Sequence, residues 1–360
     1  MNKNDKRKKI IKSLHTKMKY KNYILFPKIF KNVFIFVLFS ISILLSISTI
    51  NIEEKIEEEL NNIKINKTDL NWDNIKKDFE FLSNKYKYLI KYEKNISEYS
   101  PIWMMWYQGI ENAPPIVKSC VQSVILNRAK HPVYIIDKYN LEKYIKLPSY
   151  IKEKFNKGAF SIAHFSDIVR MGLLLKYGGY WIDSTYLVNT PLIKVNTSFY
   201  SLKLNYCFPH RFIKCQWAIN FMAVPPNSFI ATYCYAALLF YLKKYNSFIN
   251  YFLLDYIILI AYNNVLEFKN LITNLPFVNC NIFSLVKSLN YGYNKDKLKC
   301  SFNKLTRKKV FNAFNTNGKT NYGYIIEKYN LNIKNINNNF IAYLINEINI
   351  FNKYKKIKLF

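Results

Sequence analysis

Cysteine is scarce and unclustered. The six residues, Cys120, Cys207, Cys215, Cys234, Cys280 and Cys300, contain no Cys-x-x-Cys pair. That excludes a zinc ribbon and gives no sign of a disulfide framework, so they are expected as buried apolar thiols. Cys207 and Cys215 flank His210, but the spacing fits no common metal-ligand pattern. Acid is scarce as well: 23 Asp and Glu stand against 53 Lys and Arg, a formal charge of +30. Such a balance attracts nucleic acid, anionic headgroups and phosphorylated substrates alike. Helix-turn-helix, zinc-finger and RNA-binding signatures are missing, and the lysines are spread along the chain, so nucleic acid is not expected as a partner. With 50% hydrophobic residues over 360 positions, the chain is not disordered and is long enough for one large core. Its wealth of Lys, Asn, Ile, Tyr and Phe reads first as an AT-rich codon bias, which discounts arguments from lysine number alone.

The N-terminal stretch is organised by charge. Residues 1–31 hold eleven Lys or Arg against Asp5 and lead into Val33 to Ile50, eighteen uncharged residues. This length reaches the lower limit of a membrane-spanning helix. No small-residue cleavage site follows, which favours an uncleaved anchor over a signal peptide. The expected organisation is a basic cytoplasmic segment at 1–32, a transmembrane or interfacial anchor at 33–50, and a solvated helical stem at 51–97. A catalytic domain follows at 98–325, then an Asn/Lys-rich tail at 326–360. The positive-inside rule sends the domain across the membrane, whereas an interfacial anchor on anionic lipid keeps it cytosolic; the sequence leaves both open. The sequons at Asn66, Asn95 and Asn196 matter only in a secretory lumen.

From Pro101 the pattern becomes strand, helix, strand, helix. IWMMWYQG is a short apolar strand ending in Gly109, Ile116 to Asn127 a helix, HPVYIID a second strand, and a further helical stretch ends at Gly158. That alternation predicts a mostly parallel sheet covered by helices, an α/β Rossmann-like fold, with ligands at the carboxyl ends of its strands. Gln108 and Gly109 end the first strand, where backbone has to approach a nucleotide closely.

Chemistry concentrates in residues 161–188. Ser161 caps a helix to about Tyr177, on which Asp167 and Arg170, three apart, share a face. Gly178 and Gly179 end it. The short strand YWID then delivers Asp183 to a strand tip, with Ser184 and Thr185 beside it. A carboxylate there can hold a divalent cation against a diphosphate, whose departure develops negative charge. Asp255, in the apolar YFLLDY helix, is costly to bury unless paired or functional. It is a candidate for the acceptor side as base or orienting group. His164 reads as a structural hydrogen-bonding residue, and Arg307 and Lys308 as a solvated face with the alternative of a diphosphate clamp.

These segments, IWMMWYQGIENAP at 102–114 and AHFSDIVRMGLLLKYGGYWIDST at 163–185, resemble the sugar-binding region of DXD-motif glycosyltransferases. The likeness is strongest to the capsular polysaccharide synthesis family and extends through NFMAVPPNS, YFLLDY and KLTRKKVFNAFNTNGKTNYGY to about Tyr324. The resemblance implies a GT-A fold, a nucleotide-sugar donor, a glycan or glycolipid acceptor at a membrane, and a divalent cation, Mn²⁺ or Mg²⁺. It implies a hexosyltransferase, of mannosyl or galactosyl type, that retains anomeric configuration. It also implies that Asp183 binds the metal, Asp167 and Arg170 the donor's sugar and ribose, and Trp103 or Trp106 the base. The departure is Asp183-Ser184-Thr185, where a hydroxyl replaces the second carboxylate of the motif. A membrane-glycan phosphotransferase and a non-catalytic scaffold of a polysaccharide assembly complex stand as alternatives.

Overall fold

A computed structural model describes residues 52–64, 69–205, 212–307, 312–315 and 318–330. The candidate anchor at 33–50, Asn66, Cys207, His210, Lys308 and residues after 330 lie outside them. Among the described residues no helix is long and apolar enough to cross a membrane. The chain divides into two compact units, Met1–Glu54 and Lys55–Phe360; apart from the first three residues of the opening helix, the elements named belong to the second.

Two helices come first, α1 (Ile52–Asn61) and α2 (Trp72–Tyr86), then strand β1 (Ile102–Met105), helix α3 (Pro115–Leu126) and strand β2 (Val133–Ile136). Helices α4 (Leu141–Tyr144), α5 (Ser149–Asn156) and α6 (Ile162–Tyr177) lead to strand β3 (Gly179–Ile182). Strands β4 (Tyr186–Val188), β5 (Tyr200–Ser201), β6 (Lys203–Leu204) and β7 (Phe221–Val224) follow. Helices α7 (Phe229–Lys244), α8 (Leu253–Asn264) and α9 (Leu266–Thr273), strands β8 (Phe277–Val278) and β9 (Phe302–Lys304), and helix α10 (Asn321–Lys328) come after them.

The fold is α/β, around a five-stranded sheet in the order β2-β1-β3-β7-β5. Strands β2, β1 and β3 are parallel. Every residue of these three is buried, the pattern of a sheet covered on both faces. The expected mostly parallel sheet is corrected on its other half: β7 runs antiparallel to β3, and β5 antiparallel to β7. After β3 the chain makes local excursions instead of a helical crossover, so it returns in the opposite direction.

The helix-to-strand unit that carries Asp183 forms for local reasons. Ser161 Oγ accepts from the His164 backbone N–H at 3.3 Å and caps α6. Gly178 (φ 64°) ends the helix, and Gly179 (φ 93°) starts β3. A Cβ on Gly179 would lie 2.1 Å from the Pro101 carbonyl oxygen, so only glycine lets β3 start against the chain entering β1.

Three expectations change here. The stretch after residue 69 is not a solvated stem: α2 packs on α7 and α8, burying Ile75, Phe79, Leu82 and Tyr86, a helical face hidden in a charged composition. The domain also runs past 325, because α10 continues to Lys328 against α3 and the Tyr329 hydroxyl donates to Asn189 Oδ1 at 3.0 Å. Of the cysteines, Cys120 and Cys234 are buried free thiols, whereas Cys280 is bonded to Cys300 and Cys215 is disulfide-bonded too. A metal site using a Cys215 thiolate is thereby removed. Disulfide pairing depends on tertiary proximity, which spacing alone does not reveal.

Candidate active site

A cavity of about 550 Å³ opens where β1 and β3 end, a size that suits a small organic ligand. Trp106 and Gln108 line it from the chain after β1, Asp167 and Arg170 from α6, and Asp183 from the tip of β3. Asp255 enters from the first turn of α8, and Lys304 and Arg307 from the end of β9 and just beyond.

Arg170 is the buried centre, 4% exposed. Its Nη1 lies 3.1 Å from Asp167 Oδ1 and its Nη2 3.2 Å from Asp183 Oδ1. Its guanidinium carbon sits 4.9 Å from the Trp181 ring centroid. A buried charge costs several kcal/mol unless paired, and two carboxylates and an aromatic face supply that pairing. Asp183 Oδ1 also accepts from Trp181 Nε1 at 2.9 Å, and Oδ2 from Lys304 Nζ at 2.6 Å.

The two aspartates differ electrostatically. Burial pushes the Asp167 carboxyl up to about 7; Arg170 opposes that, and the charges of Asp183 and Asp255 add to it. Burial acts to raise Asp183 as well. The charges of Lys304 and Arg170, with hydrogen bonds from Lys304 and Trp181, outweigh it and hold Asp183 below the ordinary carboxylate value.

Asp255 is buried, and its Oδ1 accepts from Trp217 Nε1 at 3.0 Å. Trp106 lies under Arg307, whose guanidinium carbon is 5.7 Å from the ring centroid. The buried Trp106 indole N–H has no hydrogen-bond partner among the described residues.

Two expected base-binding or backbone positions do not reach the cavity. Trp103 is buried in the sheet: its Nε1 donates to the Gly178 carbonyl at 2.9 Å, and its ring stacks on Tyr134 at 4.9 Å. Trp103 is the second residue of β1, a strand buried throughout, while Trp106 follows the strand's end, where the cavity opens. Gly109 also stays outside the lining. With φ 91°, and a Cβ that would meet the Glu111 carboxylate at 2.0 Å, it serves the turn before residues 110–112. His164 is outside too, stacked on Phe248 with centroids 3.9 Å apart.

Sequence reasoning missed Lys304, Trp181 and Trp217 as partners of the aspartates. The KLTRKK segment carried the one usable signal, since Lys304 begins it. The β4–β9 pairing sets Lys304 opposite Tyr186, three residues after Asp183.

A divalent cation fits these residues poorly. Among them no group of three or more His, Cys, Asp or Glu side chains is arranged to hold a metal. The Ser184 hydroxyl is spent on the Met105 carbonyl at 2.6 Å. Asp183 has room for about four hydrogen-bond or ligand contacts, and Trp181, Arg170 and Lys304 occupy three of them.

Comparison with known proteins gives two findings. Part of the chain is 31% identical over 91 residues to "O-glycosyltransferase PaGT" from Phomopsis amygdali, a match covering 23% of this chain and 22% of that protein. The model of the capsular polysaccharide synthesis protein family matches residues 51–329, which take in every element described from α1 to α10, and the chain therefore belongs to that family.

Proposed function

We propose that the chain is a glycosyltransferase of GT-A architecture that moves a hexosyl group from a nucleoside diphosphate sugar to a hydroxyl of a glycan or glycolipid, in surface polysaccharide or glycolipid synthesis. The observation that carries this reading is Arg170, buried under the cavity and braced between Asp167 and Asp183 where a parallel strand ends. Ligands of parallel sheets bind at that end of the strands. Family membership and the partial likeness to an O-glycosyltransferase support the same reaction class.

In this scheme Asp167 and Arg170 hold donor hydroxyls, and Trp106 and Gln108 flank the base. Asp255 faces the acceptor and takes its proton as the acceptor oxygen bonds to the anomeric carbon. The bond from that carbon to the diphosphate oxygen breaks, and its electron pair leaves with the diphosphate. A thermal-shift screen of nucleotide sugars tests the reading, because a ligand that binds only the folded state raises its melting temperature. Incubating a hit with acceptor extract and identifying the released nucleotide is decisive: a nucleoside diphosphate supports sugar transfer, and a monophosphate points to a phosphotransferase.

We further propose that the domain works on the oxidising side of a membrane. Disulfides persist in oxidising compartments, and Cys280–Cys300 is one. A basic N-terminus followed by an uncleaved apolar segment delivers a domain to that side. Protease protection in sealed vesicles tests it: a domain digested without detergent on the cytosolic face would refute the placement.

A further inference from the structure

Resting on the glycosyltransferase reading above, we propose that Lys304 and Arg307, and not a divalent cation held at Asp183, neutralise the diphosphate as it leaves. A strand-tip carboxylate repels a diphosphate unless a positive charge stands between them. Here that charge is already in place. Lys304 Nζ is 2.6 Å from Asp183 Oδ2, at the oxygen that a bridging cation would need.

The lysine is held and yet open to ligand. Its backbone N–H donates to the Ile282 carbonyl at 2.8 Å, and the next residue's N–H donates to the Thr185 carbonyl at 2.8 Å. The ammonium lies 5.0 Å from the Tyr186 ring centroid, and the side chain keeps 17% of its surface exposed in the cavity wall. An ammonium has three N–H donors. Asp183 takes one of them, which leaves two for phosphate oxygens. Arg307, exposed three residues further on and lining the same cavity, adds a guanidinium able to grip a phosphate through two hydrogen bonds.

The acidic side of the site argues the same way. Hard cations want several oxygen ligands, and one oxygen of each neighbouring carboxylate already has a partner, Asp167 Oδ1 in Arg170 at 3.1 Å and Asp255 Oδ1 in Trp217 at 3.0 Å. A metal at Asp183 Oδ2 would have to displace Lys304. As the glycosidic carbon–oxygen bond breaks, the electron pair stays on the diphosphate, and donors fixed in advance stabilise it without reorganising.

The test is calorimetric titration of the full chain with UDP, GDP, CDP and ADP, in EDTA and in Mn²⁺, with melting curves confirming the fold of each variant. For whichever diphosphate binds, EDTA is expected to change Kd by less than about threefold. Lys304→Ala is expected to weaken binding in EDTA by about tenfold or more, and Lys304→Arg to restore it to within about threefold, as charge-assisted phosphate contacts require. Arg307→Ala, at an exposed position, carries the same expectation of weakened binding and keeps the test open if Lys304→Ala does not fold. Binding that needs Mn²⁺ and vanishes in EDTA, or Lys304→Ala and Arg307→Ala proteins that both bind like wild type in EDTA, would overturn the inference while leaving the glycosyltransferase reading intact. If none of the four diphosphates binds in either buffer, the reading of the site fails, and this inference fails with it.

Discussion

Lys304 meets Asp183 across 121 positions of sequence, Nζ to Oδ2 at 2.6 Å, because β9 lies antiparallel beside β4 with Lys304 opposite Tyr186. The carboxylate that ends β3 is therefore shared between two cations, Lys304 and Arg170. In the proposed scheme its role is to fix where positive charge stands, held between Lys304 Nζ at 2.6 Å and Arg170 Nη2 at 3.2 Å.

Asp183→Asn tests that role. The amide keeps the size of the side chain but loses the charge that holds Arg170 and Lys304, so both cations lose their orientation. The expected result is a fall in kcat of about 10²-fold or more, the scale of losing a preorganised electrostatic contact, with cooperative melting retained. A purified Asp183→Asn protein that turned over donor at the wild-type rate would show that the carboxylate orients nothing the reaction uses.

Much of this site was legible in the sequence, for local reasons. The apolar run of β1, the Ser161 cap, the glycine pair and the YWID strand are all encoded within a few residues, and together they put Asp167, Arg170 and Asp183 at one place. What was not legible is set by long-range register. Nothing near Lys304 says that it will lie beside Tyr186, nothing near Val224 says that β7 will turn antiparallel, and nothing near Cys280 names Cys300 as its partner. The misreading of α2 has another cause. Its apolar face, Ile75, Phe79, Leu82 and Tyr86, follows an i, i+4, i+7, i+11 pattern, but the charged residues between them dominate the composition.

Trp103 and Trp106 should separate stability from binding. Trp103 is fully packed and spans β1 to the end of α6 through the Gly178 carbonyl, so Trp103→Ala is expected to cost about 3–5 kcal/mol of folding stability. Trp106 lines the cavity under Arg307. Trp106→Ala should lower the melting temperature less, while weakening nucleotide binding by the worth of one base–aromatic stack, about 1–3 kcal/mol. Calorimetric titration alongside melting curves reads both quantities; a Trp106→Ala protein with unaltered nucleotide affinity would take that indole out of the donor site.

Asp167 gives a pH dependence of definite sign. Its carboxyl titrates at about 7 in the folded chain, against about 3.9 in an unfolded one. Between those values the folded chain holds a proton that the unfolded chain has released, so this group makes stability fall as pH rises from about 4 to about 7, and level off above. Asp183, lowered on folding, acts in the opposite sense, with stability lost as pH falls below about 4, so the two windows do not overlap. Asp167→Asn should remove the decline between pH 4 and 7. Scanning calorimetry of both proteins across that range decides it, and a wild-type minus variant difference that stays constant with pH would count against a protonated Asp167.

The Cys280–Cys300 bond ties stability to the placement of Lys304. It closes a separation of 20 residues, for which the loss of chain entropy in the unfolded state predicts about 3 kcal/mol of stabilisation. Cys300 stands just before β9, and its carbonyl accepts from Asn189 Nδ2 at 3.0 Å and Asn303 Nδ2 at 2.9 Å, so the crosslink also anchors the strand that ends in Lys304. Because Cys215 is disulfide-bonded as well, the specific test is Cys280→Ser with Cys300→Ser, which should lower the melting temperature by about 5–10 °C and weaken diphosphate binding at a temperature where the protein is still folded. Equal melting temperatures for the wild type and the double serine variant, with the wild-type bond confirmed by mass, would mean that the bond closes a loop that packing already holds. A lowered melting temperature with unchanged diphosphate affinity would separate the two effects, and would place the anchoring of Lys304 in the β4–β9 ladder alone.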